Sequence, residues 1–227
     1  MPLSESPAPT DRRSVPPPTR DTRVFAQKRA RATYDALLEA ARRVFERQGY
    51  DAAQTPDIAR DAGVSVGTFY RYFTDKRHAF IEMITEHLEE LYQLVMEDMT
   101  VEAFGSTRTE AERRAACDHV IEVLFRNAAR HPSLQRELLG VALRDPEVSR
   151  IRQSFDERGR QALAALIEQV APPDRIPDAV AAAEVIQIAA QEAALATTGQ
   201  LGIRKPQAEA KALRRALSDM IYRYVFG

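Results

Sequence analysis

The nineteen residues from Thr55 to Phe73 hold two helical segments too short to stand alone, joined by Ala62-Gly63-Val64-Ser65. Isolated helices below about 12 residues are marginal in water, so such a pair exists only by packing on itself and its neighbours. Thr55 reads as an N-cap and Pro56 as the first helical residue, where a missing N–H costs nothing. Ile58 and Ala59 give this segment its inner face. Gly63 can take the left-handed conformation that a Cβ resists, and Ser65 can cap the second segment, Val66-Gly67-Thr68-Phe69-Tyr70-Arg71-Tyr72-Phe73. Two short helices about a glycine turn make a helix-turn-helix, whose second helix is of a size to enter a DNA major groove.

The flanks are helical too. Upstream, Tyr34, Leu37, Leu38, Ala41, Val44 and Phe45 keep the 3-then-4 spacing of an amphipathic helix that Gly49 ends. Downstream, Asp75-Lys76 opens a rod with Phe80, Ile84, Leu88, Leu91 and Val95 on one side, expected to end near Phe104-Gly105. Further helices are expected from about Arg108 to Arg130, through Leu134, Leu138 and Val141, from Pro146 to Val170, from beyond Pro177 to Thr198, and from beyond Pro206 to Phe226. No segment alternates like a strand, so the fold class is all-α: an N-terminal three-helix module joined by a long helix to a larger helical domain. The expected organisation is a disordered, basic, Pro-rich arm over 1–25, the helix-turn-helix domain over 26–75, and a ligand-binding and dimerisation domain over 76–227.

A formal net charge of -1 is unpromising for a nucleic-acid partner until its distribution is counted. Residues 1–80 carry fourteen Lys or Arg against ten Asp or Glu, leaving 18 against 23 for the remainder. The excess is concentrated in Arg12, Arg13, Arg20, Arg23, Lys28, Arg29 and Arg31. A basic stretch of this kind is either a solvated tail or an electrostatic footprint for phosphates. The single cysteine, Cys117, offers neither a disulfide nor a metal-ligand spacing. No run of about 18 apolar residues and no secretory leader stand out, from which no membrane partner and a cytoplasmic location are expected.

From Thr55 to Lys76 the string TPDIARDAGVSVGTFYRYFTDK, within Tyr34 to Phe80, resembles the N-terminal domain of the TetR family of repressors. The resemblance implies that Thr55, Thr68, Tyr70 and Lys76 contact DNA phosphates, and that Ser65, Val66, Gly67 and Arg71 lie on the face that approaches bases. Those residue types suit the roles: hydroxyls and an ammonium for phosphate oxygens, a guanidinium for guanine. Pro56 stands where some relatives carry a polar base reader, and Val66 can only touch a thymine methyl. Readout then rests on Arg71, Tyr72 and the arm, although Tyr72 fits packing as well as contact. A lysine at a helix start opposes the helix dipole, so Lys76 has some further reason to be there.

The last two helices differ in composition. Ala179 to Ala196 is too apolar all round for a solvated surface, and the final helix carries Leu213, Leu217, Ile221 and Tyr224 along one stripe. With Ile188 and Leu195 these are expected to form a four-helix homodimer interface, the alternative being that they complete the core of one chain. Gln187 and Gln191, one turn apart, either find protein partners or line a ligand cavity with His119, Phe125 and Phe155. No catalytic set, metal-ligand spacing, phosphate loop or dinucleotide fingerprint is present, so no enzyme activity, metal or cofactor is expected. The expected partners are double-stranded DNA carrying a near-palindromic operator, a second copy of the chain, and an unidentified small-molecule effector. The functional expectation is a repressor that the effector releases from DNA.

Overall fold

The computed structural model of the protein describes residues 20–172, 174–199 and 208–227, with side chains from residue 27 onward. Every regular element among them is a helix: α1 (Arg20–Gln48), α2 (Thr55–Asp61), α3 (Val66–Tyr72), α4 (Lys76–Met96), α5 (Val101–Phe104), α6 (Glu110–Arg130), α7 (Pro132–Ala142), α8 (Pro146–Val170), α9 (Ala179–Thr198) and α10 (Ala210–Phe226). The greater part of the arm expected over 1–25, and Pro206, lie outside the described residues. Helix α1 begins at Arg20, ahead of the expected start at residue 26.

The chain divides into two compact units, Met1–Ala36 and Leu37–Gly227. In the first, Arg31 pairs with Asp35 at 2.8 Å one turn along the helix and lies over the Tyr34 ring. In the second, the residue 75/76 junction is bridged rather than open. Arg77 grips Asp145 with two hydrogen bonds of 2.6 and 2.9 Å and reaches Glu147 at 2.8 Å. The same seam holds Glu46 to His131, Asp51 to Arg144, and the Tyr50 N–H to Glu137. The two hydrogen bonds from Arg77 hold the Asp145 carboxyl down at about 2.

Turn chemistry sets the helix-turn-helix. Gly63 sits at φ +69°, its N–H donating to the Arg60 carbonyl while Val64 N–H donates to Ala59, a Schellman closure of α2. The Ser65 hydroxyl accepts from Thr68 N at 3.1 Å and so starts α3, as the sequence indicates. Thr55 is not the N-cap of α2: Gln54 holds that position without a side-chain bond, and Pro56 lies one place further in. Under these helices Leu37, Phe45, Ile58, Phe69 and Phe80 are completely buried, with Phe45 and Phe80 edge to face at 5.2 Å.

The rod that starts at Asp75 is shorter than its apolar pattern suggests. It ends at Met96, because Thr100 caps a separate one-turn helix, α5, accepting from Ala103 N at 3.2 Å. Helix α6 opens with a reciprocal capping box between Thr109 and Glu112. Asp145 and Asp178 cap α8 and α9. The larger core gathers around α9, whose Ala182, Ala183, Ile186, Ala190 and Ala194 pack with Phe125 of α6, Ile167 of α8 and Leu217 of α10. By length and composition α9 would reach across a bilayer, although no such run is expected from the sequence. Its small residues here let three helices close around it.

Candidate functional site

Helix α3 buries only Phe69, leaving Ser65, Val66, Gly67, Tyr70 and Arg71 exposed on one continuous surface. Tyr70 is 54% exposed, yet its hydroxyl is fixed by a 3.1 Å hydrogen bond with the Thr55 hydroxyl. A second hydroxyl pair, Ser65 and Thr68 at 2.9 Å, stands at the N-terminus of the helix. Two sets of hydroxyls therefore flank a ridge with no side chain at Gly67. The Arg71 guanidinium has no hydrogen bond or ion pair among the described residues, so it is available to an outside acceptor.

Lys76 supplies the further reason that its position demanded. Its ammonium donates to the carbonyls of Tyr50, Asp51 and Ala53 at 2.9, 2.9 and 3.0 Å. An ammonium has three protons, and all are committed. It also lies 5.0 Å from the centre of the Tyr50 ring. The side chain ties the 50–53 loop to the start of α4, so in this structure it orients the head rather than pointing outward.

The second site is a cavity of about 260 Å³ lined by α4, α5, α6, α7, α8, α9 and α10. Its wall is mostly Leu, Ile, Val, Met and Ala, with Phe104 and Cys117 toward one end. Burial pushes the Cys117 thiol up to about 12, so it stays protonated and is no nucleophile at neutral pH. Apart from Tyr92, Asn127 and Gln135, four polar residues of the lining cluster. Asp156 accepts Gln191 Nε2 on its carboxylate and Gln187 Nε2 on its carbonyl, both at 3.0 Å, and Arg152 stands 3.6 Å from the other carboxylate oxygen. Among the described residues, Gln187 Oε1 is buried without a hydrogen-bond partner, which costs on the order of 1–3 kcal/mol. No group of three or more His, Cys, Asp or Glu that could hold a metal ion occurs among the described residues.

Comparison with known proteins agrees with this arrangement. A family model described as bacterial regulatory proteins, tetR family, matches residues 37–83, and one described as tetracyclin repressor-like, C-terminal domain, matches residues 113–224. The chain belongs to the TetR family. The HTH-type transcriptional regulator EthR of Mycolicibacterium smegmatis is 29% identical over 146 residues, which span 63% of this chain and 64% of EthR. The solved structure of a TetR-family regulator from Mesorhizobium loti superposes with a TM-score of 0.68 at 20% identity, covering 86% of this chain and 96% of that one. FadR of Bacillus subtilis, solved in complex with stearoyl-CoA, gives 0.59 at 20% identity, covering 85% and 97%. At such identities the likeness of the structures is one of fold.

Within this TetR fold the residues singled out from sequence separate. Phe155, Gln187 and Gln191 line the cavity. His119 does not: it faces outward and meets Asp98 at 3.1 Å. Phe125 is buried in the packed core behind the wall. Arg152 and Asp156 were overlooked; the signal was an i,i+4 charged pair continuing the apolar stripe of α8 that runs through Gly159 and Leu163. On α9 and α10, Ile188 and Tyr224 are exposed, but Leu217 and Ile221 are buried within the chain, Leu213 packs against its core, and Leu195 lines the cavity. Of these six, only Ile188 and Tyr224 are exposed. The exposed apolar side chains here are Val180, Val185 and Ile188 on α9 with Met220 and Tyr224 on α10.

Proposed function

We propose that the chain is a sequence-specific DNA-binding transcriptional regulator of the cytoplasm, a homodimer that represses from a near-palindromic operator until a small-molecule effector releases it. The observation that carries this reading is the outer face of α3: a ridge of Val66, Gly67 and Arg71 between two hydroxyl pairs, over a core that holds it rigid. Hydroxyls serve phosphates and an unpaired guanidinium serves a guanine edge. Lys76 acts through the 50–53 loop, and Tyr72 sits half-buried beside the ridge.

Two heads would reach successive major grooves about 34 Å apart when α9 and α10 pair with their copies through Val180, Val185, Ile188, Met220 and Tyr224. The cavity is the effector site. It shares α7 with the head, since Gln135, Leu138 and Leu139 line it while Glu137 holds Tyr50 N at 2.8 Å. A ligand that prefers the DNA-incompatible arrangement a hundredfold weakens operator affinity by about 2.7 kcal/mol. Asp156, Gln187 and Gln191 are hydrogen-bonded to one another and leave one acceptor, Gln187 Oε1, open, which suits holding a molecule rather than transforming it. The stearoyl-CoA bound by FadR supports an apolar effector.

Selection of bound duplexes from a random pool tests the reading. A palindromic consensus is expected, with binding that weakens steeply as salt rises. No preference over bulk competitor at modest ionic strength sinks it. Ile188→Asp is expected to convert the dimer to monomer by sedimentation and to abolish operator binding.

A further inference from the structure

We infer that the cavity takes a slender amphiphile whose head group donates hydrogen bonds, as a hydroxyl, an amide N–H or an ammonium does, and is not a carboxylate. This rests on reading the cavity as the effector site and specifies what enters it.

Shape comes first. The wall follows α8 from Arg152 to Val170, about 27 Å at 1.5 Å per residue. A space of about 260 Å³ drawn along such a wall is a narrow slot. One end, between Met99, Phe104, Cys117, Val170 and Phe226, offers only apolar surface and a protonated thiol. The nearest cation, Arg113, lies over the Phe226 ring at 5.3 Å and is not part of the lining, so that end holds the tail.

The other end has a fixed polarity. Gln187 and Gln191 both direct Nε2 to Asp156, one to its carbonyl and one to its carboxylate. Turning either amide over would set oxygen against oxygen, so Asp156 decides which way both face. Each glutamine therefore carries its carbonyl oxygen away from Asp156. Gln187 Oε1 is the buried acceptor left without a donor. The last torsion of a glutamine is soft, so a modest rotation brings that oxygen to a donor in the slot. Arg152 is the cation of this end, and it already stands beside Asp156. A carboxylate head would have to draw Arg152 away while facing one carboxylate and two carbonyl oxygens. A donor head meets the Asp156 carboxylate and the Gln187 oxygen, while the remaining polar side chains of the lining, Tyr92, Asn127 and Gln135, can accept as well as donate.

Calorimetric titration of the full-length protein with decanol, decylammonium and decanoate tests the assignment. Decanol or decylammonium is expected to bind at least about tenfold more tightly than decanoate. Decylammonium ahead of decanol assigns a cation facing Asp156, and the reverse order assigns a neutral hydroxyl. Gln187→Met keeps the length of the side chain but removes the unpartnered acceptor together with the bond from Nε2 to the Asp156 carbonyl; it is expected to weaken the preferred probe about tenfold with little change in melting temperature. Gln191→Met supplies a second, independent loss. Decanoate binding as well as the other two, or Gln187→Met leaving affinity unchanged, overturns the donor-head assignment while leaving the cavity as a ligand site. If the folded protein binds none of the three, the cavity itself is not such a site and the inference falls with it.

Discussion

The head and the body of this chain are packed to different standards. In the head, Leu37, Ala40, Ala41, Val44, Phe45, Ile58, Phe69 and Phe80 all reach 0% exposure. Around the cavity, side chains of similar size stop short of closure, with Phe125 and Leu217 at 6% and Ile186 and Ile221 at 8%, while Met83, Ile84, Leu134 and Val148 elsewhere in the body reach 0%. Aromatic rings interlock beneath α2 and α3, whereas α6, α8, α9 and α10 stand around a slot. A tool that must present an unchanging shape needs the first kind of interior. A container needs the second.

The comparison can be broken most directly by truncation. Phe69→Ala is expected to lose about 3–5 kcal/mol in thermal or denaturant unfolding, whereas Leu91→Ala, at the cavity wall, should lose less than the ~2 kcal/mol typical of a filled leucine site. Equal losses would mean that the body is as tightly filled as the head.

Acid should sharpen the contrast next. Burial holds His87 at about 4, against a usual 6.5, with Arg42, His131 and Arg130 adding to the effect. Between those values the unfolded chain takes a proton that the folded one refuses, so stability falls as pH drops from about 6.5 to about 4. The loss is on the order of 3 kcal/mol and should be largely absent in His87→Gln, by unfolding curves across that window. A parallel decline in the variant would assign the acid sensitivity elsewhere. Asp145 gives its own loss only lower, as pH falls from 3.8 toward about 2.

Arg71→Ala is expected to weaken operator binding by about 1–3 kcal/mol and relax one base position, with no change in melting temperature. Ser65→Ala should show the smallest change, about 1 kcal/mol of stability, through loss of the cap on α3. If Arg71→Ala unfolds the head, the outer face is not independent of the core beneath it.

This difference also explains what could be read from the amino acids. The head is written in local signals, Gly63 for a left-handed turn and Ser65 for a cap, whereas Lys76, expected on a DNA phosphate, is held by three backbone carbonyls that no local pattern announces. The body is written in apolar periodicity, which says that a side chain is covered but not by what. Leu217 and Ile221 fitted a dimer stripe as well as a core, and only three-dimensional packing separates them from Ile188 and Tyr224. His119 lies beside Val120 and Ile121 in sequence yet turns the other way, since adjacent residues of a helix point about 100° apart. The end of α4 at Met96 was hidden because its apolar pattern runs on into the residues that Thr100 gathers into α5.

The grip of Lys76 on three carbonyl oxygens of the 50–53 loop has a mechanical corollary. With the approach to α2 clamped to the first residue of α4, the head has no wrist. It travels wherever its stem is sent, and a small swing of the stem becomes a displacement of the whole reading surface.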